Sequence, residues 1–155
     1  MENILDKDLR GGITSITVVD ADAGLGVVFS SEGVSVTLPS DTALSVKPVE
    51  DSAEWSEQLT LVDGTKRVSH RLKFRLPANH PIVALLRNAK SGVVAVVEMR
   101  GGVRLLAGCS SHFGLERPLR VESLGVTSGR TRIDTPCCEV SLMSIDDAFA
   151  ATLQN

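Results

Sequence analysis

The chain has 155 residues, 43% of them hydrophobic and 23% charged, which suits one globular domain able to bury a core without disulfides or metals. A net charge of −3 leaves no basic footprint for DNA or RNA, and 3% aromatic content with no Tyr argues against a base-stacking platform. The opening MENILDKDLR lacks the apolar stretch of a signal peptide, no run approaches the roughly 18 apolar residues of a membrane span, and three cysteines make no disulfide framework. These features predict a reduced, cytoplasmic protein: one β-rich domain over 1–155, with mobile ends at 1–10 and 147–155.

Short alternating runs separated by turn residues follow from the N-terminus. GITSITVV (12–19) alternates as a strand, and GVVF (26–29) and GVSVTL (33–38) predict two more. In ALSVKPVE (43–50), Leu44 and Val46 share a face, while Pro48 cannot donate a ladder bond and marks an edge or bend. WSEQLTLVDGTKRVSHRLKFRLP (55–77) is the clearest element: two alternating runs flank Asp63-Gly64, a pair suited to a tight hairpin turn. Val68, His70, Leu72, Phe74 and Leu76 fall on one face of its second run, and Arg67, Ser69, Arg71, Lys73 and Arg75 on the other.

One helix follows at about 80–90, with Asn79 as its cap, Pro81 in the first turn and an apolar stripe of Ile82, Leu85 and Leu86. Arg87 and Lys90 suit its C-terminal end, and Gly92 can stop it. VVAVVEM (93–99) and VRLLAG (103–108) form a second hairpin, apolar on both faces, which predicts burial on both sides or a subunit contact. PLRVESLGV (118–126) and CCEVSLMSI (137–145) complete about nine strands, and DDAFAATLQ (146–154) reads as a short helix or a tail. The pattern predicts an antiparallel β-sandwich or barrel with one flanking α-helix.

Chemistry is sparse. Cys109, His112, Cys137 and Cys138 are the best metal constellation, but adjacent cysteines on a strand point to opposite faces. Cys138 is expected in the core as a small hydrophobe and Cys137 on the exposed face. Ser110 and Ser111 beside His112 lack a Gly-x-Ser-x-Gly elbow, His70 lies on an apolar face, and His80 sits near the helix start. The acidic residues Glu50, Asp51, Glu54 and Glu57, and the pair Asp146-Asp147, lack the spacing of a calcium loop. No residue is therefore assigned to catalysis, a cofactor or a metal. The charged stripe Arg67, Arg71, Lys73 and Arg75 remains. It reads either as a solvated strand face or as a contact with an acidic surface, such as segment 49–57 of a neighbouring subunit or, as a weaker candidate, a nucleic-acid backbone.

The order of elements carries a resemblance: the long hairpin 55–77, the helix HPIVALLRNAK, the hairpin VVAVVEMRGGVRLLAG, and then SHFGLERPLRVESLGVTSGRTRIDTPCCEVSLMS. Over roughly 50–145 the chain resembles the small structural proteins of tailed bacteriophages and prophages, in the tail-tube and head–tail connector group. The resemblance implies a β-barrel or sandwich with one flanking helix, a homo-oligomeric ring formed by extending the sheet between subunits around a DNA channel, and no enzymatic activity. It implies other particle proteins as partners, no sequence-specific nucleic acid, no membrane, and a place in the virion. Channels in that group are often acidic, whereas the clearest stripe here is basic, and no residue role carries over. A small β-barrel module binding a peptide, sugar or protein is the alternative, and an enzyme or zinc protein built on Cys109, His112 and the pair Cys137-Cys138 a third.

Overall fold

Thirteen residues, Thr65–Pro77, run as one strand with the alternation their sequence demands: Val68, His70, Leu72, Phe74 and Leu76 are buried, and the residues between them are not. This strand anchors the computed structural model, which describes residues 12–30, 33–39, 41–49, 52–110, 114–128, 136–146 and 150–153. In chain order the elements are β1 (Ile13–Asp20), β2 (Gly26–Ser30), β3 (Gly33–Thr37), β4 (Leu44–Val46), β5 (Glu54–Val62), β6 (Thr65–Pro77), α1 (Pro81–Asn88), β7 (Val93–Met99), β8 (Arg104–Ala107), β9 (Arg120–Thr127), β10 (Cys137–Asp146) and β11 (Ala151–Thr152).

The strands make a five-stranded sheet ordered β11-β8-β7-β1-β4, a four-stranded sheet ordered β5-β6-β10-β9, and the separate hairpin β2-β3. The two larger sheets enclose the main core. Ile16 and Val18 of β1 and Val93, Ala95 and Val97 of β7 meet Leu72, Phe74 and Leu76 of β6 and Cys138, Val140 and Leu142 of β10. Helix α1 joins them with Ile82, Val83 and Leu86. The fold is thus mainly β, an antiparallel sandwich with one flanking helix, and the sandwich form replaces the barrel alternative.

A second core lies on the other side of the five-stranded sheet. There Val94 and Val96 of β7 and Leu106 of β8 pack with Val34, Val27, Phe29 and Val36 of the β2-β3 hairpin and with Leu153. The two-sided apolar character of 93–108 is therefore satisfied inside one chain, with alternate residues of β7 serving the two cores. Asp63 (φ 51) and Gly64 (φ 78) both take positive φ in the β5-β6 turn, the conformation that Asp-Gly favours.

Several expectations are corrected. His80, not Asn79, caps α1: its Nδ1 accepts the Ile82 N–H at 3.2 Å, and Pro81 opens the helix. The helix is shorter than 80–90 because Ala89 already has extended backbone. The strand read at 43–50 is only Leu44–Val46, and β9 begins at Arg120 rather than at Pro118. Eleven strands are present among the described residues against about nine expected; one of the additions is Ala151–Thr152, which pairs with Leu105–Leu106 of β8 where a helix or tail was read.

Candidate functional site

The outward face of the four-stranded sheet carries the charged stripe, and strand register places its neighbours. Lys73 lies between Glu54 of β5 and Ser141 of β10, Arg71 between Ser56 and Met143, Arg75 beside Glu139, and Arg67 opposite Thr60. The ladder between β9 and β10 slips where Ser141 and Leu142 face Ser123 and Val121, so Glu122 is the extra residue of a β-bulge. Its side chain turns onto the stripe. One carboxylate oxygen accepts the Ser141 hydroxyl at 2.9 Å and the other accepts Arg71 Nη2 at 2.9 Å.

The Ser141 hydrogen bond first, and then Arg71, hold the Glu122 carboxyl below its ordinary pKa. Arg75 Nε stands 3.5 Å from Glu139. The acids that balance the stripe at Arg71 and Arg75 thus come from this chain's own β9 and β10. Of the acidic segment proposed as a partner, Glu54 sits across from Lys73, Glu57 faces inward, and Glu50 and Asp51 lie outside the described residues. These pairs are exposed, so solvent screening leaves each a weak contribution to stability.

Cys137 is not exposed as its alternation predicts. It is 8% accessible, and Arg75 Nη2 donates to its Sγ at 3.1 Å, so the guanidinium lies against the thiol. Cys138 is fully buried in the main core and Cys109 belongs to the second core. Burial raises the pKa of both thiols; at Cys109 the nearby Asp146 adds to the rise. The cysteines therefore occupy three separate environments. His112 and Ser111 lie outside the described residues, as does Asp147, and Ser110 closes a turn with Gly114. No group of three metal-ligating side chains occurs among the described residues.

A polar row hidden in the sequence runs across the inward face. Glu57, His70 and Ser144 are lateral neighbours on β5, β6 and β10. His70 is 4% accessible, its Nδ1 is 3.4 Å from Ser144 Oγ, its Nε2 is 3.9 Å from Glu57 Oε1, and the Trp55 ring lies 5.6 Å away. Glu57 Oε1 also accepts the Ala150 N–H at 2.8 Å, tying the four-stranded sheet to the segment that enters β11. The strict alternation of β6 placed His70 correctly inside. The partners depend on cross-strand register, which no local signal reveals.

The ends of this sheet are the other distinctive feature. β5 and β9 are its two edges. β9 is exposed at every residue but one, and β5 is exposed throughout its distal half. Both edges show apolar side chains to solvent, with Leu59 and Leu61 on β5 at 46% and 69% accessibility and Val121 and Val126 on β9 at 42% and 52%. An open hollow of about 440 Å³ lies where β10 outruns β9, lined by Arg117, Arg120, Met143 and Ile145 among others.

No known protein family, curated protein or solved structure matches the chain. No helix among the described residues is long and apolar enough to cross a membrane.

Proposed function

We propose that the protein is a non-enzymatic structural subunit that assembles with copies of itself into a ring through sheet-to-sheet contacts, as a tail-tube or head–tail connector component of a phage or prophage particle. The observation that carries this reading is the pair of long edge strands, β5 and β9, beyond which no strand pairs among the described residues. Such edges offer unpaired N–H and C=O groups to another chain, and globular proteins ordinarily blunt or cover them. β9 carries one such device, the bulge at Glu122, yet both edges still display apolar side chains in Leu59, Leu61, Val121 and Val126. The order of hairpins around one short helix supports the phage assignment.

The hollow beside β9 favours a second reading, a binding module that takes an extended peptide along the last residues of β10. Negative-stain electron microscopy of concentrated protein separates the two. Rings of uniform diameter are expected from an assembling subunit, and a field of single small particles at every concentration contradicts assembly.

A further inference from the structure

We propose that the contact between copies is head-to-tail and pairs β9 of one copy with β5 of the next; this rests on the self-assembling reading above. Strand parity is the first argument. The sheet is β5-β6-β10-β9, and every neighbouring pair in it is antiparallel. With four strands, its two edges run in opposite directions. A following copy in the same orientation therefore sets its β5 antiparallel to β9, and the ladder continues unbroken.

Side-chain direction is the second argument. Val121 and Val126 stand opposite Leu142 and Cys138, and Leu59 opposite Val68, so all of them project from the core-facing side of the sheet. Leu61, two residues beyond Leu59, projects the same way. Joining β9 to β5 brings Val121 and Val126 of one copy beside Leu59 and Leu61 of the next on one face, covering both exposed apolar sets in a single kind of contact. A two-fold contact through β9 alone leaves the β5 leucines in water, and one through β5 alone leaves the β9 valines there.

Stagger is the third. Through β10, β9 lies alongside Arg71–Pro77 of β6, centred on residue 74, whereas β5 lies alongside Thr65–Lys73, centred on residue 69. The two centres differ by 74 − 69, or five residues, and full overlap of the edges allows an offset of four to six. Only an even offset keeps the leucines and valines on one face, and an offset of six sets Leu61 opposite Val121 and Leu59 next to Val126. At ~3.3 Å per residue this is about 20 Å along the strands, against a width of about 19 Å for four strands spaced ~4.8 Å apart. The strands then tilt by about 45° from the ring axis, at the upper end of the roughly 35–45° of closed β-barrels. A head-to-tail contact with that tilt suits closure into a ring of continuous sheet.

Two double variants test the polarity. Leu59→Lys with Leu61→Lys closes the β5 edge, and Val121→Lys with Val126→Lys closes the β9 edge, because charges on a strand edge block pairing. Circular dichroism and thermal melts identify the folded variants, and all four positions are solvent-exposed. Under conditions where the wild type assembles, each double variant alone is expected at monomer mass. An equimolar mixture is expected to give a complex of one copy of each, twice the monomer mass, and nothing larger. A wild type that assembles while the mixture stays monomeric overturns the polarity, as does either variant forming a homodimer by itself. A wild type that never assembles overturns the self-assembling reading, and this inference with it.

Discussion

Gly92 shows how a single residue couples the helix to the sheets. Its φ is +107°, and a Cβ there would come within 2.6 Å of the Leu119 carbonyl oxygen and 2.9 Å of Pro118 Cγ. Beside it, Val93 and Leu119 exchange backbone hydrogen bonds of 2.8 and 2.9 Å. Gly92 was read as the helix stop, but the helix already ends at Asn88 with Ala89 as its cap; the packing of Pro118 and Leu119 against Gly92 was not legible, because they are distant in sequence. Gly92→Ala is expected to cost about 2 kcal/mol or more, measured by urea unfolding, since strained backbone and a backbone clash add. The cysteines carry a second prediction. All three are buried, so native protein should alkylate slowly at each. Arg75→Ala should speed labelling of Cys137 by roughly tenfold, because it removes the guanidinium that lies against that thiol, while Cys138 stays slow. Equal labelling of Cys137 and Cys138 in the variant contradicts this placement. The cover was not legible either, since alternation assigns a face and does not say which neighbouring side chain lies over it.

At the scale of elements, the elements with clear periodicity were legible. β6 declares itself by strict alternation and β7 by an apolar run suited to two cores, and both are placed as that patterning requires. β11 was missed because two residues carry no period, and its existence depends on an edge of β8 waiting for a partner. The row Glu57–His70–Ser144 was missed for the same reason at longer range: only the register between β5, β6 and β10 brings those residues together. Its structural task is visible in the Glu57–Ala150 hydrogen bond, which secures the chain just before β11. Glu57→Ala should therefore loosen β11 locally. Hydrogen exchange at the Leu153 amide, bonded to the Arg104 carbonyl at 2.9 Å, is expected to rise about fivefold to tenfold for the loss of one hydrogen bond near 1 kcal/mol. Exchange in the centre of β6 should be unchanged; acceleration there as well would mean global destabilisation rather than release of the terminal strand.

The whole molecule is a sandwich whose two faces are treated differently. One sheet is covered on one side by the main core and, over β7 and β8, on the other by the β2-β3 layer, while the other turns its outer face to solvent and has no strand beyond either edge among the described residues. The mainly β class with one flanking helix was legible from patterning and turn chemistry, with sandwich and barrel left open between them. The open edges were not, because edge status belongs to strand order and the order β5-β6-β10-β9 is not the order of the chain. The same geometry changes the meaning of the basic stripe: with Glu122 and Glu139 supplied from its own sheet, the stripe is a largely compensated face, and the apolar edges are the better candidates for contact between copies. The central claim is self-assembly through those edges, and molecular mass against concentration tests it most directly. Light scattering coupled to size separation should show the wild type passing from monomer to one discrete, larger species as concentration rises, with both lysine-edge variants remaining monomeric. A wild type of monomer mass across the whole range, up to the limit of its solubility, would contradict it.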